Sequence, residues 1–181
     1  MSQIKDLLIE ELQDLLHAEN QLVAALPKMS SAAKAPKLRE ALEKHLLQTQ
    51  MQVERLNQAF ELLGSDAEPK TCRAMQGLIE EGQETIEEGA GKEELSADLS
   101  LIAAAQKVEH YEIAAYGNAR TLALQIDERD VARLLSQTLG EEEAADYLLT
   151  EITKPLLQQA RMEDLSGSAG TKSSRKTTHS K

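Results

Sequence analysis

Leu101-Ile-Ala-Ala-Ala-Gln-Lys-Val-Glu-His-Tyr-Glu-Ile-Ala-Ala-Tyr116 is an apolar, alanine-rich stretch broken by two acids, Glu109 and Glu112. Leu99, Ile102, Glu109, Ile113 and Tyr116 follow the three-and-four stepping of one helical face, and Glu112 adjoins that face one turn after Glu109. The spacing predicts a long helix that turns two carboxylates toward the core. An ionised carboxylate is tolerated in an interior only when it is protonated, paired with a cation or bound to metal. The rest of the chain has to supply that partner.

Helical stripes continue on both sides. From Gln3 to about Lys34 the positions Leu8, Leu12, Leu15, Leu22, Leu26 and Met29 form one face, with Glu19 set in it. From Pro36 to Leu63 the face reads Leu38, Leu42, His45, Thr49, Gln52, Leu56, Phe60 and Leu63, so three consecutive stripe positions are polar. Pro27 is a point where the first helix can kink; Pro36 suits the first turn of the second, and Gly64 ends it. After a loop over residues 65–71, Met75, Leu78, Ile79 and Ile86 give Cys72 to Glu88 one apolar edge. The central helix then runs from about Glu93 to Leu124. A turn at Gln125-Ile126-Asp127 leads into a last helix from about Glu128 to Gln159, whose stripe is Leu135, Leu139, Glu142, Asp146, Leu149 and Ile152.

These elements predict an all-α protein. Short links join the first two long helices and the last two, which implies two antiparallel hairpins. The connection between the hairpins holds a helix of seventeen residues, about 25 Å at 1.5 Å per residue, enough to carry the chain back along the bundle. Two hairpins joined by such a crossover form the ferritin-like four-helix bundle. This domain is expected over residues 1–165. The remainder, Ser166-Gly-Ser-Ala-Gly-Thr-Lys-Ser-Ser-Arg-Lys-Thr-Thr-His-Ser-Lys181, lacks large apolar residues and is expected to be a disordered basic tail.

The formal net charge is −11 over 181 residues, and the tail carries Lys172, Arg175, Lys176 and Lys181 without an acid, so the body is more acidic than the whole. Such a body repels nucleic acid and anionic membranes and attracts metal cations. Cys72 is the single cysteine and forms no internal disulfide. No apolar run approaches the roughly 20 residues of a membrane span, and the opening Met-Ser-Gln-Ile-Lys-Asp lacks the apolar block of a signal peptide. A cytoplasmic protein is the expectation.

The polar interruptions share one further property: each lies near the middle of its own helix. Stacking helices of similar length would bring Glu19, Glu109, Glu112, Glu142 and Asp146 to one interior level, with His45 about a turn from it. No Lys or Arg occupies these stripe positions, and like charges so close cannot all stay ionised without cations. The inference is a site for two metal ions, held by Glu19, His45, Glu109, Glu112, Glu142 and Asp146; oxygen-rich ligands favour iron or manganese over copper or zinc. A single glutamate on an apolar stripe is ordinarily solvated at its edge, so the case rests on the set. His110 points about a quarter-turn from Glu109 and is read as an interface residue or a partner to a ligating carboxylate. Tyr116 is read as a core residue whose hydroxyl satisfies an acid, and Cys72 as a packed thiol.

Leu101-Ile-Ala-Ala-Ala-Gln-Lys-Val-Glu-His-Tyr-Glu-Ile-Ala114, with Asp14-Leu-Leu-His-Ala-Glu-Asn-Gln-Leu22 and Leu139-Gly-Glu-Glu-Glu-Ala-Ala-Asp146, resembles the YciF-like family of bacterial stress-associated proteins over about residues 3–160. The resemblance implies a ferritin-like fold, a homodimer and a core similar to the dimetal carboxylate sites of rubrerythrins and ferritins. It implies metal ligands at Glu19, Glu109, Glu112 and Glu142, with Asp146 and His45 in or beside them. One departure stands out: relatives commonly read His-x-x-Glu-Thr where this chain has His45-Leu46-Leu47-Gln48-Thr49. The Glu-x-x-His pairs expected on two helices of a di-iron bundle are also lacking. Gln48 thus implies that one of the two metal positions is weak.

The resemblance assigns no reaction. A bridged metal pair suits oxygen or peroxide redox chemistry, as in ferroxidase or manganese catalase activity. The competing reading is a metal-free helical scaffold or dimerisation module in a stress response. A third, DNA protection through the tail, is opposed by the acidic body. Phosphate loops, nucleophile elbows, CxxC and HExxH motifs do not occur in the sequence.

Overall fold

Helices end where the sequence places its breaks. The computed structural model describes the backbone of residues 3–173 and the side chains of residues 3–162. Within these bounds the chain is all-helical: α1 (Gln3–Ala32), α2 (Pro36–Leu63), α3 (Arg73–Gly89), α4 (Glu94–Gln125) and α5 (Arg129–Ser173). Pro36 opens α2, where an absent N–H leaves nothing unpaired. Gly64 closes it at φ +64°, so that the N–H groups of Gly64 and Ser65 donate to the carbonyls of Glu61 and Phe60, each at 3.1 Å. The Cys72 Sγ caps α3 by accepting from the Met75 N–H at 3.4 Å. Asp127, at φ +62°, turns α4 into α5 in the left-handed conformation that aspartate tolerates better than most side chains. Pro27 lies within α1, which continues past it to Ala32.

Packing divides the apolar residues into two clusters. Leu8, Leu12 and Leu15 of α1 meet Leu56 and Phe60 of α2, Ala119 and Ala123 of α4, and Val131 and Leu135 of α5. Leu22, Leu26 and Met29 meet Leu38 and Leu42, Leu101 and Ile102, and Leu149 and Ile152 in the other cluster. So α1 and α5 run from the first cluster to the second, while α2 and α4 run back. The pairs α1–α2, α4–α5, α2–α5 and α1–α4 are in contact, and α3 lies against α1 and α4. Between the two clusters the inward positions are polar.

The stripes of α1 and α2 are buried as the spacing predicts. On α4 the core face differs: Leu99 and Ile113 are half-buried at its edge, and Ala105, Val108, Ala119 and Ala123 fill the centre. The last helix also exceeds its expected end at Gln159. The run to Ser173 holds no proline to interrupt the hydrogen-bond ladder, so residues 166–173, expected as the start of a tail, continue α5. Residues 174–181, the rest of that expected tail, lie outside the described residues. No described helix is long and apolar enough to cross a membrane.

One buried acid is structural. Asp98, 2% exposed, accepts from the N–H groups of Lys34 and Ala35 at 2.8 and 2.6 Å, tying the α1–α2 turn to the start of α4. Hydrogen bonds to a charged group contribute more than neutral ones. Asp98→Ala is expected to lower stability by about 2–3 kcal/mol, measured by urea unfolding; a loss below about 0.5 kcal/mol, the scale of an ordinary surface substitution, would show the tie to be dispensable.

Candidate metal centre

The polar layer draws one or two side chains from each of four helices. Glu19 comes from α1, His45 and Gln52 from α2, Glu109 and Glu112 from α4, and Glu142 from α5, and all are buried. Each position belongs to a helical face that carries buried apolar residues on both sides of the layer, so the backbone points these groups inward.

His45, Glu109, Glu112 and Glu142 each offer one ligand atom, and those atoms lie within 4.8 Å of one another. His45 Nε2 is 3.5 Å from Glu109 Oε1 and 3.6 Å from Glu142 Oε2, too far for good hydrogen bonds. Glu19 accepts a hydrogen bond from the Tyr116 hydroxyl through Oε1. Gln52 Nε2 donates to Glu142 Oε1 and, at 3.1 Å, to Glu141 Oε2.

What these contacts leave over is more telling. Glu19 Oε2, both ring nitrogens of His45, Gln52 Oε1, Glu109 Oε2, both oxygens of Glu112 and Glu142 Oε2 are buried without a hydrogen-bond partner. Buried polar atoms are nearly always partnered. Here the unpartnered ones among the described residues fall in a single layer, and nearly all are oxygens or imidazole nitrogens able to donate a lone pair. The donor set therefore fits one or two divalent cations, with His45, Glu109, Glu112 and Glu142 close enough to share an ion and Glu19 near Glu112.

Electrostatics point the same way. Burial, then the nearby Glu142, raises Glu19 well above the usual carboxyl range, with the Tyr116 hydroxyl opposing the rise. Burial and Glu142 likewise raise Glu109, and burial with Glu19 raises Glu112. The Tyr116 phenol is pushed up by burial and by Glu19 beside it. Glu19, Glu109 and Glu112 thus hold protons more tightly than exposed carboxyls do.

Five of the six residues predicted to bind metal, Glu19, His45, Glu109, Glu112 and Glu142, lie in this layer. Asp146 does not join them. It is half-buried on the flank of α5, where Gln106 Nε2 donates to its Oδ1 at 2.8 Å and His110 Nε2 stands 3.4 Å away. Its offset from Glu142 carries it past the core-facing edge. Gln48 is half-buried too, in a narrow cleft that it shares with His45, Glu109 and Glu141; the inward neighbours of His45 on α2 are Thr49 and Gln52.

One interior cation is not on any predicted stripe. Arg55, 8% exposed, donates to both carboxylate oxygens of Glu141 at 2.6 and 2.8 Å and to Thr138 Oγ1 at 2.7 Å. It adjoins Leu56 in sequence and reads as a flank residue, and its partner is 86 positions away, so no local spacing signals the pair. Arg55 opposes the rise at Glu19, but its fork is committed to Glu141 and leaves the layer's orphaned oxygens unmet. Lys107 pairs with Glu81 of α3, and Arg120 donates to Ser136.

The model of the family described as Domain of unknown function (DUF892) matches residues 3–162. This chain belongs to that family. A relative, Protein YciF of Escherichia coli (strain K12), is 47% identical over 156 residues, covering 84% of this chain and 91% of YciF. The crystal structure of YciF, there called a stress protein, superposes with a TM-score of 0.83 at 43% identity, covering 87% of this chain and 99% of that one. YcfI of Rhodopseudomonas palustris superposes with a TM-score of 0.78 at 39% identity, covering 83% and 94%. A protein of Xanthomonas campestris pv. campestris, at 21% identity and a TM-score of 0.69 over 90% and 99%, shares the fold.

The raised carboxyls set a pH dependence. Glu19, Glu109 and Glu112 bind protons more tightly when folded than when unfolded, where the ordinary value is 4.5. The resulting stabilisation is complete below that ordinary range and is lost as pH rises through the raised folded values. The thermal midpoint of chelator-treated protein is expected to fall between about pH 5 and about pH 8. The fall should be smaller in Glu112→Gln. Calorimetry at the two pH values checks both; equal falls in the variant and the parent would remove the layer as their source.

Proposed function

We propose that this DUF892 protein is a ferritin-like four-helix bundle, with α1–α2 and α4–α5 as its hairpins and α3 in the crossover. It holds a carboxylate-bridged pair of iron or manganese ions and acts in a stress response in the cytoplasm. The observation that carries the reading is the set of orphaned buried oxygens and imidazole nitrogens gathered in one layer. The stress role is carried across from E. coli YciF, named a stress protein.

In this reading His45, Glu109, Glu112 and Glu142 would hold the ions, with Glu19 joining them from beside Glu112. When bound, such a pair supplies one-electron chemistry with oxygen or peroxide. The chain's own residues do the rest. Tyr116 orients Glu19 by hydrogen bonding, Gln52 orients Glu142, and the two apolar clusters keep bulk water from the layer. A homodimer belongs to the same proposal, supported by the exposed apolar side chains Leu47 and Met51 of α2 and Tyr147 and Leu148 of α5, on helices that adjoin.

Anaerobic titration of the apoprotein with ferrous ion is expected to show saturable binding that is abolished by Glu109→Ala or Glu112→Ala. Gln52→Leu should weaken it about 10- to 100-fold, the usual cost of losing a group that orients a ligand. Chelation should lower the thermal midpoint, because a cation that binds only the folded state stabilises it. A midpoint indifferent to chelator, with no ferrous binding, would favour the metal-free scaffold.

A further inference from the structure

A second cavity lies away from the metal layer, between α1, α3 and α4. Its volume is about 230 Å³, and Leu22 and Met29 of α1, Ile79 and Ile86 of α3, and Val108 of α4 give it an apolar wall. An apolar cavity of about 150 Å³ in a protein core stays dry and takes up benzene, so this one has room for a larger apolar body.

Two features separate it from a packing flaw. Gly82 sits in the middle of α3 and lines the cavity, yet a Cβ built on it would meet nothing within 4 Å. Its backbone is helical, so neither close packing nor an unusual φ requires glycine, although glycine in a helix interior costs about 1 kcal/mol against alanine. A side chain at this position would project into the cavity. The second feature is Lys28, the single charged residue lining the cavity, which has no hydrogen bond or ion pair among the described residues. In a chain with a surplus of acids, a cation left without a partner at the rim of an apolar cavity matches one negative head group.

We infer that the α1–α3–α4 cavity binds a small apolar carboxylate, with its hydrocarbon chain between Ile79, Ile86 and Val108 and its carboxylate against Lys28. α3 is the element suited to admit it. Among the described residues only Met75 and Gly82 of this helix are buried, and Leu78, Ile79 and Ile86 are half-buried where they line the cavity. The inference does not depend on metal, since none of its residues is in the layer.

Isothermal titration of the metal-free full chain with octanoate, and separately with 1-octanol, tests it. Saturable 1:1 binding of octanoate is expected. Lys28→Met should weaken octanoate by about tenfold, the scale of one charge-assisted hydrogen bond, while leaving 1-octanol unchanged. Gly82→Leu should abolish both by filling the cavity. Methyl NMR of the unaltered chain gives a readout that does not depend on how that variant folds: octanoate should shift the methyls of Ile79, Ile86 and Val108. Absence of saturable octanoate binding, equal loss of octanoate and octanol in Lys28→Met, or shifts confined to other methyls would overturn the assignment.

Discussion

Everything in this molecule is arranged around the cost of placing several carboxylates together out of water. Glu19, Glu109, Glu112 and Glu142 would be prohibitive as four bare charges, and the protein's own remedies are partial. Tyr116 gives Glu19 one hydrogen bond, Gln52 gives Glu142 another, and raised pKa values let protons stand in when no cation is present. Neither hydrogen bond reaches Glu112, whose two oxygens remain unpartnered. That residue has no structural duty visible in its contacts, and the proposed ligand role would account for it.

The surroundings sharpen the point. Arg55 is a buried guanidinium close enough to influence Glu19, and it could have neutralised the layer, yet its fork is spent on Glu141 and Thr138. A buried arginine with a matched carboxylate is electrically closed. The layer beside it stays open to an external cation. Asp98 provides the contrast: it is also buried, but two backbone N–H groups satisfy it, and it needs no metal.

Helix boundaries were legible because the chain marks them chemically. Pro36 and Gly64 bound α2, and the seventeen-residue α3 follows from its apolar edge. The core face of α4 was less legible. Its centre is built from alanines, which carry little hydrophobic contrast, so a stripe drawn through Leu99 and Ile113 landed at the edge. In the site, Glu109 and Glu112 could be read because apolar turns flank them. Asp146 lies one turn from Glu142 as an inward residue would, and only its contacts with Gln106 and His110 of α4 show that it sits on the flank of the layer. Arg55 and Glu141 could not be read at all, since their pairing is a tertiary fact between distant helices.

The polar layer splits the apolar interior into two separate clusters, and α1, α2 and α4 cross it near their middles while α5 crosses it in its first third. Sliding any one helix along its axis by a single turn would press a carboxylate against leucine and set a leucine among carboxylates. A uniformly greasy seam permits such slippage at little cost; a seam keyed by a polar position does not. The acids therefore act as a vernier, fixing the longitudinal alignment of the helices whether or not an ion is bound.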